Sequence, residues 1–275
     1  MIYACIVLYN KRLGDSATYQ SLEKNDYKGA LIIFDNSTDT SIRVFNKYFC
    51  SENKITYLED DKLHNAGLSK AYNAAVRYLR HNGSSDKDYL ITFDDDTTVT
   101  KEYCDSVLKS AEKPAYQVLV PVVYSNQLIL SPSNIAFGCK VVIIKSLDEI
   151  NLAKITGINS GLCVRLDVFN KIHYNEKLFL DSIDHCFFED LRRGGFTIKI
   201  LPNAVLYQSY SQLEKNNKES RLARLRITFR DNHAYADGSL NKNIFFRISN
   251  LITAKKLDRE YGTSEFTEVY HNIWK

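Results

Sequence analysis

At 275 residues, with 44% hydrophobic and 25% charged side chains, the composition is that of a globular chain forming one large domain, or one domain with a helical appendage. A formal net charge of +3 is too small to argue for nucleic acid, so no nucleic-acid partner is expected, and no apolar run approaches the roughly 20 residues of a membrane span. The six cysteines form no Cys-x-x-Cys pair and several lie in apolar runs, which reads as buried free thiols in a reducing cytoplasm rather than disulfides or a zinc site.

Met1 to Tyr9 is apolar without a basic lead, so it reads as a first strand, Ile2 to Leu8, followed by Tyr9-Asn10-Lys11, and not as a signal peptide. Thr18 to Asn25 suits a helix. Ala30 to Phe34 is a second strand that breaks into Asp35-Asn36-Ser37-Thr38-Asp39. These polar residues either bind a ligand or cap a helix starting near Thr40; Asp35 is the hardest to dismiss because it follows the strand directly. Ile55 to Leu58 is a third short strand. Asn65-Ala66-Gly67 then opens a helix whose apolar spacing starts at Leu68. Gly67 lies where backbone N–H groups can face an anion, although Asn65 also serves as a plain helix cap. Strand and helix alternate throughout this region, which predicts a parallel, doubly wound sheet.

The fourth strand, Tyr89 to Phe93, ends in Asp94-Asp95-Asp96. In open α/β sheets the carboxyl edge is where ligands bind. Three adjacent carboxylates repel one another, and a cation would relieve the repulsion. In an extended chain Asp94 and Asp96 point the same way, as a divalent metal that also holds a diphosphate requires. The plainer reading is a solvated loop capping a helix from Thr97 to Val107.

After Lys113-Pro114 the runs Val118 to Tyr124, Leu128 to Leu130 and Lys140 to Ile144 suit an antiparallel portion of a mixed sheet. Gly161, in Asn159-Ser160-Gly161, permits close backbone approach to a ligand or a simple turn. A second acidic site follows. Ile183 to Arg193 reads as a short helix closed by Gly194-Gly195, and Asp181 and Asp184 share a face at its start. His185 is more often structural than a ligand in such a setting. A strand from Thr197 to Leu201 precedes Pro202 to Gln208. The tail from Gln212 is basic between Lys215 and Arg230, and Ile244 to Leu257 suits a second amphipathic helix. Such helices pack on the core, form oligomer contacts or rest on an anionic membrane.

Taken in order, Ile6-Val7-Leu8-Tyr9-Asn10, Phe34-Asp35-Asn36-Ser37, Asn65-Ala66-Gly67 with Asn73, Asp94-Asp95-Asp96, Asn159-Ser160-Gly161 and Phe179 to Asp184 resemble the family 2 glycosyltransferases, especially the bacterial rhamnosyltransferase and galactofuranosyltransferase-like branch. The resemblance covers residues 2–210. It implies an α/β GT-A fold, Rossmann-like, with a mixed, mainly parallel central sheet and a C-terminal helical extension. The implied division is a transferase domain, 1–211, and a basic helical region, 212–275. The implied reaction is inverting transfer from a UDP- or dTDP-sugar to a hydroxyl of a glycan acceptor in bacterial surface polysaccharide synthesis.

The resemblance also implies roles. Asp184 is the general base. Tyr9, Asn10, Asp35, Asn36, Asn65, Gly67, Asp94 and Asp95 bind the nucleotide-sugar. Asp94 and Asp96 hold Mn²⁺ or Mg²⁺, and Ser160, Gly161, Asp181 and His185 meet the acceptor. Two departures stand out: Ile183 occupies the first place of the family's acidic pair, and Gln208 stands where many relatives carry a histidine metal ligand, imidazole being the stronger ligand. The acceptor is expected on a lipid-diphosphate carrier, with Arg221, Arg224, Arg226 and Arg230 attracting it or the cytoplasmic membrane face. A cytoplasmic location, peripheral to the membrane, follows. The alternatives are a non-catalytic glycan- or complex-binding homologue and a sugar nucleotidyltransferase, for which Tyr9 to Gly14 is a poor phosphate loop.

Overall fold

The structure, a computed structural model, describes residues 1–60, 62–112, 115–208 and 217–275. Lys113, Pro114, Lys215 and the expected 211/212 boundary lie outside the described residues. Ile2–Leu8 is apolar on both faces, which requires cover on both faces of the sheet. The first part of the chain supplies it by alternation: β1 (Ile2–Leu8), α1 (Ala17–Lys24), β2 (Ala30–Asp35), α2 (Thr40–Glu52), β3 (Thr56–Glu59), α3 (Leu68–His81) and β4 (Tyr89–Asp94). The four strands lie side by side in the order β3-β2-β1-β4, all parallel, as the alternation predicts. Leu8 pairs with Asp35 and Val7 with Asp94, so Tyr9, Asn36 and Asp95 leave the sheet along one carboxyl edge.

The remaining elements are β5 (Thr97–Val99), α4 (Lys101–Glu112), β6 (Val118–Ser125), β7 (Leu128–Ser131), β8 (Ser133–Ala136), β9 (Lys140–Val142), β10 (Ile155–Thr156), β11 (Leu162–Arg165), α5 (Ile183–Arg193), β12 (Ile198–Gln208), α6 (Lys218–Ala236), α7 (Leu240–Tyr261) and α8 (Glu265–Ile273). They extend the sheet as β4-β11-β6-β12-β5, with β7 also on β6. Strands β11, β5 and β7 run against the others, giving the mixed, mostly parallel sheet of a GT-A fold.

Three local expectations change. Thr97–Val99 is a strand, not the start of a helix, because it pairs with Leu206–Gln208 at the end of β12; the helix begins at Lys101. That register sets Gln208 opposite Thr97. Lys140–Val142 leaves the main sheet for a small antiparallel one, β10-β8-β9; its three residues are exposed and have no core face to bury. Strand β12 runs on through Pro202, with a register shift between Ile200 and Val205 that accommodates the missing N–H.

The C-terminal helices are not a separate layer of packing. Leu222, Leu225 and Phe229 of α6 are buried in the same hydrophobic core as Val7, Tyr72 and Phe187. The six cysteines are free thiols; five are buried and Cys186 is half-buried. Among the described residues no helix is long and apolar enough to cross a membrane.

Candidate active site

The acidic turn after β4 is held from three sides. The Thr18 hydroxyl donates to the Asp94 carbonyl at 2.5 Å and accepts from the Thr97 N–H at 3.0 Å. The Ser16 hydroxyl donates to the Asp95 carbonyl at 2.8 Å. From the opposite strand, Ser160 Oγ accepts from the Asp94 N–H at 3.2 Å and lies 2.6 Å from Thr97 Oγ1. In this grip the acids separate by parity. Asp95 turns to Lys11, Nζ to Oδ1 2.6 Å, while Asp94 and Asp96 converge on Gln208. The Gln208 amide Nε2 donates to Asp94 Oδ2 at 3.0 Å and to Asp96 Oδ1 at 3.3 Å. Tyr72 Oη lies 3.4 Å from the other oxygen of Asp94.

Burial, followed by the charge of Asp96, pushes the Asp94 carboxyl up to about 7, against a pull downward from Gln208. Burial also raises Asp96. These are carboxylates short of positive charge. Asp184, in the first turn of α5, is raised by burial above all, and its charge is among those acting on Asp94 and on Tyr72. Asp184, some 90 residues from Asp94 in the chain, therefore shares the electrostatic neighbourhood of the Asp94–Asp96 pair.

The segment entering α5 is fixed by the C-terminal region. The buried Asp231 of α6 accepts three backbone N–H groups: Phe179 at 3.0 Å, Leu180 at 2.7 Å and Asp181 at 2.7 Å. Arg224, two turns earlier on α6, grips Asp181 with both terminal nitrogens, Nη2 to Oδ1 2.6 Å. Ser182 then takes a left-handed turn, φ 58°, into α5. Asp181, expected at the acceptor, thus has both oxygens engaged by Arg224. His185 Nδ1 lies 2.8 Å from Thr156 Oγ1, which orients its ring.

Beside these groups lies a cavity of about 470 Å³. Tyr9, Asn36, Asn65 and Gly67 line one side, and Ser220, Ala223, Arg224 and Ile227 of α6 the other. Four expected ligand contacts fall elsewhere. Asp35 is fully buried: its carboxylate accepts from the Ser37 N–H at 2.9 Å, Asn46 Nδ2 at 2.8 Å and Tyr57 Oη at 3.3 Å, so it braces the loop from within. Asn10 is spent on the neighbouring loop, its Oδ1 accepting from the N–H groups of Thr38 and Asp39. Ser160 is fully buried under the acidic turn. Gly161 is required by backbone shape: its φ is +83° and a Cβ there would lie 2.1 Å from Leu206 Cδ1.

The entrance of α3 also differs from expectation. The Leu68 N–H donates to the Phe179 carbonyl at 2.8 Å, and a Cβ on Gly67 would strike Phe179. The helix start therefore packs against the Phe179–Asp181 segment and does not stand open to an anion. Asn65 and Asn36 hold this corner, accepting from the Gly67 and Ala66 N–H groups at 3.2 and 3.0 Å. Sequence reading missed Asp231 as a site-forming residue, and expected Arg224 at a carrier diphosphate or the membrane face, whereas it pairs with Asp181. The available signal was an acid, Asp231, set among apolar residues of a basic helix.

Among the described residues no cluster of three or more His, Cys, Asp or Glu side chains is arranged to hold a metal ion. The acidic turn instead presents two carboxylates and one amide.

Residues 4–136 match the family model described as Glycosyl transferase family 2. Solved structures of S. aureus TarS share the fold. One, at 15% identity and a TM-score of 0.52, is covered over 43% of its length by 94% of this chain. The TarS 1–349 fragment in complex with UDP gives 16% identity and a TM-score of 0.50, and the same fragment in complex with UDP-GlcNAc gives 15% and 0.52; each aligns 96% of this chain with 73% of the fragment. The chain thus spans less than half of the first of these proteins, and at such identities the likeness is one of fold. No curated protein matches the sequence.

Proposed function

From the match of residues 4–136 to the glycosyl transferase family 2 model, we propose that the chain is a transferase of that family, moving a sugar from a nucleoside-diphosphate donor to a hydroxyl of a glycan acceptor, with inversion at the anomeric carbon. The observation that carries this reading is the pairing of Asp94 and Asp96 on Gln208 at the carboxyl edge of the sheet, within reach of the charge of Asp184. The nucleoside would lie against Tyr9, Asn36, Asn65 and Gly67. A uridine or thymidine diphosphate suits the reading, and the UDP complex of the TarS fragment supports the former.

The donor set fits a hard divalent cation, Mn²⁺ or Mg²⁺. Asp94 and Asp96 offer paired carboxylate oxygens whose proton affinity is raised above all by burial, and a cation would offset that cost of holding charge there. Gln208 would have to turn its carbonyl oxygen toward the ion, since its nitrogen now faces both acids. When bound, the cation would stabilise the charge gathering on the departing diphosphate.

The chain's own residues supply the rest. Asp184 would take the proton of the attacking hydroxyl, which needs a carboxylate within reach of the anomeric carbon on the face opposite the diphosphate. Burial raises its proton affinity and so makes it a better base than a solvated aspartate. Lys11 keeps Asp95 away from the paired acids, and Asp231 fixes the backbone that delivers Asp184. His185, its ring oriented by Thr156, would face the acceptor, while Asp181 is held in its ion pair with Arg224. The resemblance to polysaccharide-building relatives points to a bacterial surface glycan on a lipid-diphosphate carrier, handled on the cytoplasmic side.

Calorimetric titration with UDP and dTDP, each with Mn²⁺ and with chelator, tests the donor site. Binding of one nucleotide that weakens in chelator is expected. Failure of folded protein to bind either nucleotide would overturn the reading.

A further inference from the structure

Helix α7 carries apolar residues on two opposite faces. Phe246, Ala254 and Leu257 are buried against the core, with Lys242 and Asn250 on the same side. Leu240, Ile244, Ile248 and Ile252 repeat every four residues but are two positions out of phase with that set, which turns them about 200° around the axis. All four face outward, and Leu240 is 76% and Ile252 63% exposed. The residues that continue this face are Lys255, Lys256 and Arg259, followed by a single acid, Glu260, one turn beyond Lys256, all exposed. From Leu240 to Leu257 there is no Asp or Glu. The next acid, Asp258, is turned away to the N–H groups of Phe266 and Thr267.

We propose that α7 seats the protein on an anionic lipid surface, with Leu240, Ile244, Ile248 and Ile252 entering the acyl boundary and Lys255, Lys256 and Arg259 at headgroup level. An exposed aliphatic line edged by basic residues is the pattern of a helix lying in the membrane plane. A second copy of the chain fits less well. Four side chains on one line expose on the order of 400 Å², against about 800 Å² per partner in a stable interface. The basic stretch of α6 is not this surface. Arg224 is paired with Asp181, and Arg226 and Arg230 line a groove with Glu265 and Glu268, where acids offset their charge. A similar composition recurs nearby: Phe137, Val141, Val142 and Ile143 are exposed around Lys140, in the β8–β9 hairpin that receives the Tyr235 hydroxyl on Gly138.

The inference does not depend on the transferase reading, and its test is independent of it. Wild-type protein and two double variants, Ile248→Asp with Ile252→Asp and Lys255→Glu with Lys256→Glu, would be floated with phosphatidylcholine vesicles with and without phosphatidylglycerol at low salt. All four positions face solvent, and unchanged thermal unfolding confirms that each variant is folded. Wild-type protein is expected to float with the anionic vesicles. The isoleucine pair should lower the bound fraction by about tenfold or more, and the lysine pair should remove the dependence on phosphatidylglycerol. Three results would overturn the proposal: wild-type protein that stays unbound, an isoleucine variant that binds like wild type, or sedimentation showing a dimer that this variant disperses.

Discussion

The raised carboxyl of Asp94 makes a quantitative demand on stability. Its pKa moves from 3.8 to about 7, chiefly through burial and secondly through Asp96. A folded protein that holds this proton more tightly than the unfolded chain loses stability as pH rises through the window between those values, and the loss levels off above about 7. Three pH units at about 1.4 kcal/mol each give roughly 4 kcal/mol. Asp94 retains some exposure, so solvent screening brings the expectation to about 2–4 kcal/mol. Asp94→Asn removes the charge while keeping an oxygen to accept from Gln208. In chelator the variant should match wild type near pH 4 and exceed it increasingly up to pH 7. At 2–4 °C for each kcal/mol, its melting temperature at pH 8 should lie roughly 4–16 °C above that of wild type.

Thermal unfolding across this pH range, in chelator and then in Mn²⁺, is the assay. With Mn²⁺ the order should reverse, because the ion stabilises the folded wild type by mass action and finds one carboxylate fewer in the variant. Parallel wild-type and variant curves in chelator would refute the reasoning, since they would mean that Asp94 titrates as an ordinary solvated acid. A wild type that gains on the variant with rising pH, still in chelator, would refute its sign.

Asp184→Asn should abolish most turnover, by roughly a hundredfold or more, while leaving UDP or dTDP affinity unchanged by calorimetry; near-normal turnover would remove the base assignment. Asp231→Ala leaves three backbone N–H groups without their acceptor and should cost roughly 3–5 kcal/mol in a urea titration, with lower kcat, since those groups belong to the segment leading to Asp184. Gln208→His should tighten Mn²⁺ about tenfold, as read from free-ion paramagnetic resonance, because imidazole is the better ligand for a transition metal; no change would place the ion elsewhere. Gly161→Ala should destabilise by about 2–4 kcal/mol in thermal unfolding, from the 2.1 Å approach to Leu206 and the left-handed backbone together.

The first half of the sheet was legible because each of its strands is a short apolar run ending abruptly in polar residues. The same signal singled out Asp94 and Asp96, whereas Asp184 follows from its place in the family motif. It did not say which way a polar side chain turns. Asp35 follows its strand just as Asp94 does, yet Asn46 and Tyr57, 11 and 22 residues on, draw its carboxylate inward. Ser160 and Gly161 lie in a motif that reads as a ligand loop but serves as the support of the acidic turn. Thr97–Val99 has no local mark of a strand; its partner arrives more than 100 residues later. Helix α7 hid its extent for another reason: apolar residues on opposite faces cancel the periodicity that an amphipathic reading depends on.

The candidate site depends on the C-terminal helices in a way the chain order conceals. The carboxyl edge of β1, β2 and β4 positions the donor acids with local help from Thr18 and Ser160. It supplies nothing that positions Asp184. That residue lies three positions beyond the segment held by Asp231, and the same helix, through Arg224 and Ile227, walls the cavity beside Tyr9 and Asn36. One rigid helix therefore touches both the pocket proposed for the nucleotide and the backbone leading to the proposed base. A ligand pressing on Ala223 or Arg224 acts on the element that holds Asp181. The pocket proposed for the nucleotide and the segment leading to the proposed base thus share α6, with the Arg224–Asp181 ion pair between them.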